Sequence, residues 1–255
     1  MKFSITPTGV NNASTLTGFH TNFLVRWNST TLLVDAGTLI GRALHALGVP
    51  QESVTAVYAS HMHPDHVGGL YDIGYRHAVY HDRRLPVYLH SAISETIWDN
   101  YLSGVATHYW DRYGNEQRGD RNTFFDFRPL ERLYDEEEPA VVIDGLSLRL
   151  VSLPHIPHSP CHGVIFDDRI FVTTDTRFAP DILDAVVRRY PIETIFHDCM
   201  FSESAWIYHT AYRDILTLPK SLRERLILTH YEDELPIARG DVQLPLAEVG
   251  KEYCF

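Results

Sequence analysis

A chain of 255 residues with 33 acidic side chains against 22 lysines and arginines, a formal net charge of −11, offers no broad surface for a nucleic-acid backbone, since that mode of binding needs many cations facing phosphates. The 44% hydrophobic and 22% charged content is ordinary for a soluble globular protein able to bury a real core, and neither a targeting run at "MKFSITPTGV" nor a stretch long enough to span a bilayer is present. Three widely spaced cysteines, Cys161, Cys199 and Cys254, make no disulfide framework and fit a reducing cytoplasm, whereas the fifteen histidines are unusual.

No low-complexity linker or short repeat interrupts the chain, so residues 1–255 read as a single domain. "NFLVRWNSTTLLVDAG" predicts two strands turned at Asn28-Ser29. A helix follows over about Leu39 to Leu47, with Ile40, Ala43, Leu44 and Leu47 on one face and Gly48 closing it. "VTAVYAS" is a short buried strand running into "SHMHPDHVGG", which places His61, His63, Asp65 and His66 within six residues. "LPVYLH" and "LSLRLVSLPH" are strands framing a long middle region. "RIFVTTD", "ETIFHD" and "RLILTH" follow as strands, alternating with the helices "PDILDAVVRRY" and "TAYRDILTL". Strands and helices recur together, which makes the class α/β. Nearly every His or Asp cluster lies at or just past a strand end, where loops can converge polar groups.

Polar side chains at the density of Ser60 to Gly69 are not core filler. His61 and His63 are two apart, so an extended backbone points both imidazoles to one side. Pro64 stops the strand, and Asp65 and His66 turn inward as a helix begins near Val67. Imidazole and carboxylate without thiolate suit Zn, Mn or Fe in a catalytic setting; structural zinc more often uses cysteine.

His-x-His-x-Asp-His after a buried strand resembles the signature of the metallo-β-lactamase fold superfamily, and the resemblance runs through "LLVDAG", "FVTTDTRF" and "LILTHYED". It implies an αββα sandwich of two mixed sheets with a dinuclear site along one edge. His61, His63 and a third histidine would hold one divalent ion; Asp65, His66 and His230 the other; Asp175 would bridge. "HIPHSPCHG" offers His155, His158 and His162 for the third histidine. The strand-end cue points to His155, but "PHSPCHG" resembles the family's "GHTPGH" segment, and that match selects His158.

"TTDTR" resembles the "GDTR" segment of ribonuclease Z and related phosphodiesterases, with Thr174 in place of glycine. "FHDCMF", "HTAYRDILTL" and "LILTHYED" resemble the same branch and mark Asp198 as a supporting acid and His209 as the group that protonates the leaving oxygen. The resemblance implies two ions, zinc first and Mn or Fe as alternatives, whose bridging water becomes a hydroxide nucleophile oriented by Asp65. A basic arm for transfer RNA is missing, so the expected substrate is a small phosphodiester such as a cyclic nucleotide. Hydrolysis of a thioester, lactone or carboxylic ester is the alternative, followed by a non-hydrolytic metal-binding relative. A flavo-diiron protein would carry Glu at position 63, where this chain has His. Residues 98–138 hold eight aromatics before Arg128 and read as an inserted lid or substrate wall at the site, with an oligomer contact such as a homodimer, or a satellite core, as the other uses.

Overall fold

Asn28 takes a left-handed φ of 44°, a conformation asparagine adopts readily, and turns the chain where the sequence predicts. The computed structural model describes residues 1–202 and 208–255, and in it the chain forms two compact units. One comprises Lys2–Thr8, Asn22–Glu131 and Glu252–Phe255. After β1 (Ser4–Gly9), the hairpin of β2 (Asn22–Trp27) and β3 (Thr30–Val34) is antiparallel. Helix α1 (Ile40–Ala46) returns the chain to β4 (Ala56–Ala59), which pairs parallel to β3. Two helices, α2 (Pro64–Val67) and α3 (Leu70–His81), then lead to β5 (Leu85–His90), parallel to β4. Leu24, Leu33, Val57 and Val87 are fully buried on these strands.

The 98–138 region, expected to be an insertion, contributes part of this sheet. A short α4 (Ser91–Ser94), a π-helix (Trp98–Leu102) and α5 (Ser103–Ala106) pass into a small hairpin of β6 (His108–Trp110) and β7 (Glu116–Arg118). The next residues form β8 (Phe125–Leu130), which pairs parallel to β5 over six positions and ends the seven-stranded sheet. Phe124 and Phe125 are fully buried, while Trp110 and Tyr113 on the hairpin are exposed. The aromatics are thus divided between core and surface.

The second unit comprises Met1, Gly9–Thr21 and Arg132–Lys251. Its six-stranded sheet runs, edge to edge, from Leu226–Thr229 to Val141–Ile143. In chain order, β9 (Val141–Ile143), β10 (Leu146–Ser152), β11 (His162–Phe166) and β12 (Ile170–Val172) are successive antiparallel neighbours. Helix α6 (Pro180–Arg189) crosses to β13 (Thr194–Asp198), and the single turns α7 (Tyr212–Ile215) and α8 (Lys220–Arg223) precede β14 (Leu226–Thr229). β12, β13 and β14 are mutually parallel. Both sheets are mixed and flanked by helices, the α/β class expected. Among the described residues no helix is long and apolar enough to cross a membrane, and the three cysteines are free thiols.

Five polar residues of interest follow or end parallel strands, Asp35 after β3, His61 after β4, Asp175 after β12, Asp198 at the end of β13 and His230 after β14, whereas His155 follows the antiparallel β10. Asp35, Thr174 and His230 have φ of 61°, 57° and 63°, so the chain leaves three of these strands through a left-handed residue. Such strain persists only where the surroundings dictate the conformation. If β8 belongs to the core, Phe125→Ala should lower the unfolding free energy by about 3–5 kcal/mol in urea titrations, far more than Trp110→Ala on the exposed hairpin.

Candidate metal centre

His63 is extended (φ −72°, ψ 150°) and Pro64 occupies the first helical position of α2, where its fixed φ is pre-set for a helix. The helix therefore begins at Pro64, three residues before the expected Val67, and Asp65 and His66 lie in its first turn. The loop after β3 fixes that turn. Ala36 N–H donates to His66 O at 2.6 Å, and Thr38 N–H to Pro64 O at 3.1 Å. Asn22 joins the two segments, accepting from Gly37 N–H at 3.0 Å and donating to Asp65 O at 3.2 Å. The approach is close enough to demand glycine: a Cβ on Gly69 would lie 2.4 Å from Ile40 Cγ2 and 2.5 Å from Gly37 O.

Asp35 orders the imidazoles. It is 1% exposed and accepts from Ser60 N–H and Ser60 O–H, both at 2.8 Å, and from His66 Nδ1–H at 2.7 Å. With the Ser60 hydroxyl donating to Asp35, the 3.0 Å contact between Ser60 Oγ and His61 Nδ1 is completed by the ring's own N–H. One carboxylate so favours the Nδ1-protonated form of two histidines, the form in which Nε2 has a lone pair to offer a metal. His66 Nε2 lies 3.1 Å from Asp65 Oδ2. The His61 ring centroid is 4.6 Å from that of His63 and 4.1 Å from that of His66.

In the second unit the corresponding cluster gathers around Asp175, also 1% exposed. Its two oxygens face different rings. Oδ1 is 3.3 Å from His230 Nδ1, and Oδ2 is 3.5 Å from His155 Nε2. His155 Nδ1–H donates to Tyr208 O at 2.7 Å, which presents Nε2 to the carboxylate. Burial pushes the His155 ring below the usual histidine range, against the opposing pull of Asp175 and of the Tyr208 carbonyl; the neutral ring is the form that binds a metal. Asp198 stands behind. Its Oδ2 accepts from Thr176 N–H at 2.9 Å and from His209 Nδ1–H at 2.8 Å. His209 stacks on His230 at 4.8 Å.

The donor chemistry fits divalent metal ions. Two ligand atoms held at 2.0–2.2 Å by one tetrahedral ion lie roughly 3.3–3.5 Å apart, the spacing seen on both sides of Asp175. Asp175, Asp198 and His209 also bring ligand atoms within 4.8 Å of one another. Asp198 Oδ2 already carries two donors, however, and serves as a support for His209. Asp198, expected from the sequence as a supporting acid, has the His209 ring as a partner.

His158 stands apart from these donor groups. It is exposed, in a turn at φ 62°, and no group of donors among the described residues includes it. Leu153 N–H donates to Cys161 O at 3.0 Å and closes the loop at its base, while the Ser159 N–H to Ile156 O bond turns its tip. His158 sits on that tip. His155 sits near the base, where Arg177 N–H holds Pro154 O at 2.7 Å and brings the ring to Asp175. Four contributors had no place in the sequence reading: Ser60, Asn22, Thr176 and the Tyr208 carbonyl. Ser60 and Asn22 each adjoin a strand end, the one signal that could have marked them.

Two outcomes follow from this geometry. His155→Ala should lower the zinc stoichiometry of the purified protein by about one ion per chain, whereas His158→Ala should leave it unchanged, as elemental analysis will show. Asp35→Asn, which replaces an acceptor by a donor facing His66, should weaken zinc binding about 10- to 100-fold in competition with a chromophoric chelator.

Comparison with known proteins agrees with the architecture. The family model described as Anti-Pycsar protein Apyc1 matches residues 3–253. An Anti-Pycsar protein Apyc1 from Paenibacillus sp. (strain J14) is 32% identical over 225 residues, covering 87% of this chain and 86% of that protein. Among solved structures, the metallo-β-lactamase fold protein YhfI from Bacillus subtilis superposes with a TM-score of 0.73 at 16% identity, over 100% of both chains. A diphosphatase from the PhnP family superposes with a TM-score of 0.72 at 14% identity, over 100% of this chain and 98% of the other. These structures establish the metallo-β-lactamase fold, and the match along nearly all of its length shows that the chain belongs to the Anti-Pycsar protein Apyc1 family.

Proposed function

We propose that this metal-dependent hydrolase cleaves a small phosphodiester, a cyclic nucleotide being the best candidate. The observation that carries the reading is the pairing of a two-faced carboxylate with an imidazole held for proton transfer: Asp175 turns one oxygen to His155 and the other to His230, and His209 stands beside them on Asp198. In this reading His61, His63 and His155 would hold one divalent ion and Asp65, His66 and His230 a second, with Asp175 available as a donor to either. Zinc suits the imidazole-rich set, with Mn or Fe as alternatives. When bound, two such ions supply Lewis acidity and a water activated at neutral pH.

The side chains divide the remaining work. Asp65, buried beside His66 Nε2, orients the attacking water as well as serving as a donor. Asp198 fixes the His209 ring through Nδ1–H, so its Nε2 carries the proton to the oxygen that leaves. The sugar oxygen that leaves phosphorus when a cyclic nucleotide opens is an alkoxide and needs that proton; a nitrophenolate does not. The net charge of −11 supports a small substrate over a long polyanion, because a small anion needs only the local field of the metal site. One fold neighbour is a diphosphatase, which agrees with phosphorus chemistry on this scaffold.

The zinc-loaded protein should turn over cyclic nucleotides faster than thioesters or lactones; the opposite ranking would refute the proposal. His209→Ala should lower kcat on a cyclic nucleotide by about 10²-fold or more while sparing bis-p-nitrophenyl phosphate, and an equal loss on both would remove His209 from the role of acid.

A further inference from the structure

We propose that Glu232 is a positioning residue for His209, acting through backbone that it anchors; this rests on the reading of His209 as the leaving-group acid. Glu232 lies two residues beyond His230 and spreads its carboxylate over two successive amides. Oε2 accepts from Phe201 N–H and Oε1 from Ser202 N–H, both at 3.0 Å. Bonds from amides to an ionised carboxylate are about twice as strong as neutral ones. The run it grips continues from Asp198 at the end of β13.

That run is in turn paired with the backbone around His209. Met200 N–H donates to Thr210 O at 2.8 Å, and Tyr212 N–H donates to Met200 O at 2.8 Å. Phe201 stacks on Tyr212 with ring centroids 4.5 Å apart. His209 is therefore fixed twice, at its ring by Asp198 and at its backbone by the pairing of Met200 with Thr210 and Tyr212. Glu232 is the charged anchor of the second restraint.

The residues on either side of it are held as well. Tyr231 N–H donates to Val10 O at 3.2 Å, and Asp233 accepts from Leu16 N–H at 2.7 Å and Thr17 N–H at 3.1 Å. A carboxylate so held transmits its position to the amides it binds. Loosening it should let the His209 backbone drift while leaving the metal donors in place, because proton transfer tolerates little displacement of the acid.

The test measures kcat for Glu232→Ala and Glu232→Gln on a cyclic nucleotide and on bis-p-nitrophenyl phosphate, with zinc content determined for each protein. In Glu232→Ala, kcat on the cyclic nucleotide should fall about 10- to 100-fold, with zinc content and aryl diester turnover close to wild type. Glu232→Gln keeps one acceptor oxygen and should fall less; it decides the matter alone if Glu232→Ala does not fold. An equal loss on both substrates, a loss of zinc, or no loss would each overturn the inference. His209→Ala, assayed in parallel, separates the two levels. If it discriminates between the substrates and the Glu232 variants do not, only the role of Glu232 fails; if it does not discriminate, the assignment of the acid fails first.

Discussion

Removing a carboxylate from water costs several kcal/mol unless protein donors take the place of the lost hydration, and Asp35 meets that condition with two groups from Ser60 and one from His66. Much of the first unit follows from satisfying this one charge. A hydroxyl residue must precede His61, because only a group that donates to Asp35 and accepts from the ring can carry the restraint one histidine further. The loop after β3 must lie against α2 closely enough that Gly69 has no room for a side chain. Two imidazoles of the candidate metal site are set by a residue that need never touch a metal.

The second unit solves the same problem with different parts. Asp198 is fully buried, and its donors are the Thr176 amide and the His209 ring. Here the carboxylate supports a ring 16% exposed at its side chain. Partial access to solvent leaves that ring able to exchange a proton with its surroundings.

Much of this was legible in the sequence, and the limits have physical causes. The hairpin at Asn28-Ser29 and the strands entering His61, Asp175 and His230 were readable because local turn chemistry and apolar runs determine them. The 3.6-residue recurrence of Leu70, Ile73, Gly74 and His77 on the buried side of α3 was not read, since a glycine and a histidine interrupt its apolar stripe. "TAYRDILTL" shrinks to the single turn Tyr212–Ile215 because the backbone of Tyr212 is drawn into pairing with Met200. β8 was hidden by aromatics that suit a lid as well as a strand. His158 was favoured through a local pattern, whereas the hydrogen bonds that close the loop at Leu153 and pin Pro154 come from residues distant in sequence.

Thr174, directly before Asp175, has a φ of 57°, where a β-branched residue is strained by on the order of 1–2 kcal/mol. The segment it resembles has glycine there. Reciprocal bonds with Thr173 offset part of that strain, Thr174 Oγ1 donating to Thr173 O at 2.6 Å and Thr173 Oγ1 to Thr174 O at 2.9 Å. Thr173 Oγ1 also accepts from Asp198 N–H at 3.2 Å, tying the bend to the neighbouring strand. A glycine there would remove the steric strain but also the Thr174 hydroxyl bond, and would enlarge the ensemble of the unfolded chain, so the threonine exchanges one cost for another.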